Sequence, residues 1–276
     1  MRRKTIMSLA KAPYRAALCS SAAIFAIVSI VMVSCGIGDM RSIDSDEVSV
    51  ERQASLTNEK ESPTCEVRLK MTYLKESYGE LAHAVNRTVV KRLFDLEGLT
   101  MEQAADSFAN VYIRSYKLNF APLYRDDRGD EQKKAWYEYR YNIDTHMESR
   151  LEHVMTYFVN LDYYEGGAHG ITQLLTMNFD EKTGEYITLS DIFIPGYESQ
   201  LSELLLEKLL QATGAKNIED LHDKGYLYSM DMFAPENFIL NDDGITFIYN
   251  PYEIAPYSIG RTELSVSNEE IEGLRK

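Results

Sequence analysis

The chain is poor in cysteine, and two of its three, Cys19 and Cys35, lie within or at the end of a leading apolar segment. Cys65 is alone in the remainder, which excludes an internal disulfide there. It reads as a small strand residue rather than a nucleophile, since no histidine is close in sequence to activate it. The five histidines show no H-x-x-x-H or H-x-H spacing and no C-x-x-C occurs, so a metal site has no sequence support. Also absent are the G-x-S-x-G elbow of a serine hydrolase, a P-loop, a G-x-G-x-x-G turn and an EF-hand loop. No residue is singled out as catalytic and no cofactor is implied. Basic residues are scarce: 29 Lys and Arg face 43 Asp and Glu, and five of the 29 precede residue 35. The remaining 24 against 43 leave a balance of −19, which excludes nucleic acid as a partner because phosphate contact needs clustered Lys and Arg. A basic partner would be attracted, although acidity alone also keeps a protein soluble. There is no internal repeat and no long low-complexity run.

What is present begins with a leader. Residues 1–15 are basic, residues 16–34 are uncharged and mostly apolar, and Met32-Val33-Ser34-Cys35-Gly36 follows. This resembles a bacterial lipoprotein signal peptide in which Cys35 is lipidated after cleavage, with Met32 where leucine is usual. A retained transmembrane helix is the rival, since about 18 apolar residues suffice to span. The lipoprotein reading places the chain in the cell envelope, lipid-anchored to a membrane and facing the periplasm or the cell surface. Residues 35–63, rich in Ser, Asp and Glu, then read as a flexible tether.

Beyond Pro63 the pattern predicts α+β: a mostly antiparallel sheet with helices packed on it, and room for two similar sub-domains at 64–164 and 165–276. Cys65 to Tyr73 alternates and predicts the first strand. Capping boxes at Ser77–Glu80 and Thr100–Gln103 start two helices, the second ending before Pro122. Trp136 to Met147 and Leu151 to Tyr163 predict strands joined by a turn at Glu148–Arg150, which would put Glu152 and His153 on opposite faces of a strand. Asp126-Asp127 and Asp242-Asp243 read as solvated turn carboxylates. Thr156 to Phe193 predicts three antiparallel strands, broken by Glu165–Gly170 and by Asp180–Gly184. Three glycines in the first break, Gly166, Gly167 and Gly170, call for backbone at positive φ. A helix over 197–213, a turn of helix at 218–223, a hairpin at 238–249 and a strand at 264–266 complete the chain, with Ser267–Glu270 capping a last helix.

Three blocks carry a resemblance: Tyr163-Tyr164-Glu165-Gly166-Gly167-Ala168-His169-Gly170; Asn178-Phe179-Asp180 with Thr183-Gly184 and Leu189–Phe193; and Tyr249-Asn250-Pro251-Tyr252-Glu253-Ile254-Ala255-Pro256-Tyr257. Together they resemble the extracellular domain shared by RsiV-type anti-sigma factors and PdaC-type polysaccharide deacetylases, over roughly residues 65–267. The resemblance implies an extracytoplasmic, non-catalytic domain that in the anti-sigma members senses lysozyme by direct binding. Neither the anti-sigma role nor deacetylation is expected to carry over. Fifteen residues precede the apolar run, and nothing after Val266 has the length of a deacetylase domain.

The candidate ligand-binding residues are Gly166, Gly167, His169, Tyr252, Tyr257 and Trp136. His169 reads either as a ligand contact or metal ligand at a glycine-rich tip or, as favoured, as a structural ring bonded to the turn backbone. Tyr252 to Tyr257 is either a recognition loop or a rigid connection fixed by its prolines. Trp136, among polar strand neighbours, is expected to be exposed and able to anchor a protein or glycan. The expected function is a binding or sensing module for a protein or glycan of the envelope, with a lysozyme-like basic protein as one ligand. The alternative is a cell-wall glycan-binding or glycan-active accessory protein.

Overall fold

The computed structural model describes residues 41–276; the leader and Cys35 lie outside the described residues. The alternation from Cys65 builds β3 (Thr64–Leu74), with Cys65, Val67, Leu69 and Met71 buried. It is not the first strand. β1 (Arg41–Ser42) and β2 (Ser45–Ser55) precede it, and β2 pairs antiparallel with β3 from Ser45↔Leu74 to Ser55↔Thr64. The tether expected over 35–63 is therefore corrected over most of its length. β2 was hidden because it is an edge strand on which Val50 alone is buried. Backbone pairing and cross-strand ion pairs, Glu51 with Arg68 at 2.8 Å and Glu47 with Lys70 at 3.0 Å, join Val48 and Val50, which pack on the core, in holding it.

Two helices, α1 (Glu80–Phe94) and α2 (Met101–Asp127), carry the chain from β3 to β4 (Tyr139–Leu151), which lies parallel to β3. Thr100 and Gln103 form the predicted capping box. The one predicted at Ser77–Glu80 does not form, because Gly79 with φ 58° occupies the N-cap and no side chain caps it. Nor does α2 stop before Pro122. The hydrogen bond that proline cannot make is lost on a turn where Leu118 and Leu123 are exposed, so water can take the freed carbonyl. Buried Tyr116 and Tyr124 hold the helix to the sheet on either side of it. At its end Asp127, expected as a solvated turn carboxylate, accepts a bond from the Tyr137 hydroxyl at 2.7 Å and pairs with Lys133. A four-residue helix, α3 (Glu131–Lys134), and a 3-10 turn at Ala135–Tyr137 follow, so Trp136 lies in a turn and not at the start of a strand.

The sheet continues through β5 (Val154–Glu165), β6 (Ile171–Asp180) and β7 (Tyr186–Ile187), in the order β2-β3-β4-β5-β6-β7 with β1 paired to β4. The β4–β5 turn is Glu152-His153, not Glu148–Arg150: the register reaches Leu151↔Val154, and His153 takes φ 67°. Glu152 and His153 consequently meet in the turn, 3.4 Å apart, instead of facing apart on a strand. Leu189–Phe193 does not end the sheet either. Thr188 and Asp191 form a capping box that starts α4 (Leu189–Ile192), the Thr-x-x-Asp pattern prevailing over the apolar run.

α1 and α2 cover one face of the main sheet over Leu69, Met71, Ile143, Tyr157 and Phe179. The Tyr157 hydroxyl lies 2.8 Å from both Thr72 O and Thr145 Oγ1, fully buried. Tyr157→Phe is expected to destabilise the protein by about 1–2 kcal/mol, by leaving these acceptors short of a donor. Urea denaturation would measure it, and an unchanged midpoint would contradict it.

The second core is built by α5 (Glu198–Thr213), α6 (Ile218–Asp223) and a three-stranded antiparallel sheet of β8 (Phe238–Asn241), β9 (Gly244–Tyr249) and β10 (Thr262–Ser267). Leu201, Leu205 and Leu209 of α5 pack with Phe238, Phe247, Leu264 and Val266. Ser267 and Glu270 bond reciprocally, but a 3-10 turn at Glu272–Leu274 stands where a last helix was predicted. The class is α+β. The described residues form one compact unit, and a boundary at 164/165 would cut the β5–β6 hairpin, paired from Val154↔Asp180 to Tyr163↔Ile171. The core changes membership later, near Ile187. Among the described residues no helix is long and apolar enough to cross a membrane.

Candidate functional site

The tip of the β5–β6 hairpin is pinned to the turn that carries Trp136. Gly166 has φ 80°, and a Cβ there would lie 2.3 Å from Trp136 O. Only glycine allows both that conformation and that approach. The Tyr164 hydroxyl sits 2.9 Å from Gly167 O and 3.2 Å from Ala135 O, tying the tip to the same turn. Glu165 accepts a 2.6 Å bond from the Tyr112 hydroxyl of α2. Burial, and then the Glu165 charge, push that hydroxyl far above its ordinary range, so it stays a donor.

The facing wall is the segment after β9. Asn250 is buried; its Oδ1 accepts from Leu174 N at 2.8 Å and its Nδ2 donates to Leu174 O at 3.0 Å. Asn237 does the same one step along: Oδ1 accepts from Thr176 N and Nδ2 donates to Leu174 O, both at 2.8 Å. Two side-chain amides thus satisfy the edge of β6 as a neighbouring strand would. Asn250 N donates to Glu253 at 2.8 Å; burial pushes the Glu253 carboxyl upward while this bond pulls it back. Tyr252 takes φ 74° and its N–H donates to Ala255 O, so the segment folds back on itself.

The two walls meet at His169. Its Nδ1 donates to Gly170 O at 2.9 Å, so in the neutral ring Nε2 accepts from the Tyr252 hydroxyl at 3.2 Å. Its imidazole stacks on Tyr257 with centroids 3.8 Å apart, and Tyr252 lies 6.1 Å from Tyr257. The ring bonds the turn backbone, as the structural reading of His169 expected, and it also joins an exposed aromatic ledge. Tyr252 is 56% exposed and Trp136 58%. Tyr257 also lines a shallow groove of about 310 Å³ with Thr172, Pro251 and Arg261. Thr172 donates to Asp162, whose carboxylate also takes Arg140 and Asn142, so a polar strip runs from the ledge across the sheet.

The other histidines are elsewhere: His146 stacks on Phe158 at 4.7 Å, and His222 lies 6.4 Å from Tyr228. Among the described residues no three His, Cys, Asp or Glu side chains gather closely enough to hold a metal ion. Cys65 is buried, and burial pushes its thiol up to about 12, which leaves it unreactive. Arg128 pairs with Glu59. The sequence reading named Tyr164 and Asn250 only as parts of the resembling blocks and did not single out Asn237, although these three side chains set the positions of both walls.

Residues 190–269 match a family described as a protein of unknown function (DUF3298). That span includes Tyr252 and Tyr257; the Gly166–Gly170 tip falls outside it. A crystal structure of a DUF3298 family member from Bacteroides fragilis NCTC 9343 is similar at 29% identity and TM-score 0.77, covering 87% of this chain and 95% of that one. A DUF3298 family protein from Pseudomonas aeruginosa PAO1 shares the fold at 16% identity and TM-score 0.59, over 86% of this chain and 95% of that one. No curated protein matches.

Proposed function

We propose that this chain is a cell-envelope binding or sensing module, held to a membrane by a lipid on Cys35, that recognises another macromolecule and performs no chemistry on it. The observation that carries the reading is the junction of the two signature segments: His169 stacked on Tyr257 and bonded to Tyr252, on an open surface. Aromatic side chains held rigidly at a surface give contact area at little entropic cost, which suits recognition. The shallow groove beside them does not enclose a small substrate. The resemblance to lysozyme-sensing domains and the acidic balance of the chain support a basic protein of the lysozyme kind as ligand. Titration of the protein with lysozyme at low and high ionic strength is the test. Binding that weakens with salt and falls about tenfold or more in Tyr257→Ala is expected. No binding even at low ionic strength would remove the lysozyme reading.

A glycan is the second reading, favoured by the strip of Thr172, Asp162, Arg140 and Asn142 leading from the ledge. Planar polar groups beside aromatic faces suit sugar hydroxyls and C–H faces. Retention on insoluble peptidoglycan, lost in Asp162→Ala and insensitive to salt, would favour it over a basic protein.

A further inference from the structure

A second, larger groove lies between α5, α6 and the loop that follows α6; its volume is about 770 Å³. Its apolar lining comes from Leu206, Ile218, Leu227, Met230 and Met232. Ile218 is 48% exposed, and Tyr228, on the loop, is 80% exposed. The loop holds this shape with two non-glycine residues at positive φ, Leu227 at 55° and Ser229 at 64°. Such backbone persists only where surrounding contacts enforce it. Here Leu227 is buried and its N–H donates to Ile254 O at 2.7 Å. The groove is thus formed by the fold and not by a loosely placed loop.

Three carboxylates, Glu198, Glu203 and Asp231, stand among the lining residues with His222, and no lysine or arginine does. Lys208, on α5, is turned to Glu270 at 2.6 Å. Apolar side chains with exposed carboxylates among them are complementary to a segment whose apolar side chains are flanked by Lys and Arg. An acidic or neutral apolar segment would leave those carboxylates without partners.

We infer that the α5–α6 groove is a second docking surface, taking a basic amphipathic helix of a protein partner. It is distinct from the ledge: the two surfaces share no lining residue.

The probe is a synthetic leucine–lysine amphipathic peptide, with a leucine–glutamate peptide of the same pattern as control, read by fluorescence anisotropy on the intact protein. Binding of the lysine peptide alone is expected. Glu203→Lys combined with Asp231→Lys should weaken it about tenfold or more. Asp242→Lys combined with Asp243→Lys changes net charge equally at the exposed β8–β9 turn and should weaken it far less. Met230→Ser should weaken it about threefold to tenfold by removing apolar contact. Equal losses from the two charge reversals would mean general attraction to an acidic protein and would overturn the inference. So would binding of the glutamate peptide, or loss of binding in His169→Ala, which would put the peptide on the ledge. Retained peptide binding with no lysozyme binding would sink the proposed lysozyme ligand and leave this groove standing.

Discussion

Asn250→Ala is expected to destabilise the protein by about 2–4 kcal/mol and to release the ledge from the main sheet. Alanine leaves Leu174 N without its acceptor and removes one of two donors to Leu174 O, the other being Asn237 Nδ2. A buried or part-buried backbone group left without a partner costs about 1–3 kcal/mol, and the vacated amide volume adds to it. Urea denaturation gives the energy, and amide exchange at Leu174 gives the location. Exchange there should become fast while that of β5 stays slow. Asn250→Asp is the useful companion: it keeps an acceptor for Leu174 N but sets a second carboxylate beside the part-buried Glu253. It should therefore be destabilised more at neutral pH than below the carboxylate range. A loss under about 0.5 kcal/mol in Asn250→Ala would mean that the clamp contributes nothing.

Gly166→Ala is expected to cost about 2–4 kcal/mol and to move His169 off Tyr257. The left-handed backbone costs an L-residue about 1–2 kcal/mol. The methyl would also meet Trp136 O at 2.3 Å, a backbone atom that cannot rotate away. The tip must then lift from the Ala135–Tyr137 turn and lose the Tyr164 contacts. Gly167→Ala separates the two terms, since Gly167 has φ 100° but nothing within 4 Å of its Cβ position. It should cost only the backbone term and leave the ring stack intact. Equal effects from the two substitutions would show that the tip does not depend on the Trp136 contact. Ring-current shifts of Tyr257 report on the stack directly.

Much of this architecture could be read from residue order. The period-2 run at Cys65–Tyr73 and the part of Leu151–Tyr163 from Val154 onward became strands, and Thr100-Met101-Glu102-Gln103 became a capping box, because each signal is local and self-sufficient. The walls of the ledge were legible for the same reason: clustered glycines mark a tip, and a Pro-Tyr segment marks a fixed connection. What failed was whatever depended on a distant partner. β2 has no apolar period and exists because β3 offers it an edge. Pro122 is tolerated because Tyr116 and Tyr124 are buried around it. The juxtaposition of His169 with Tyr252 and Tyr257 is set by asparagines reaching across 61 to 76 residues of chain. No window along the sequence contains both ends of those bonds.

The early start of the sheet sets a distance. The first described strand begins at Arg41, six peptide units after Cys35. Six residues of chain can reach at most roughly 20 Å. With the lipid proposed on Cys35, the domain would ride at the headgroups rather than roam, and anything it captures would be held within a protein's breadth of the bilayer.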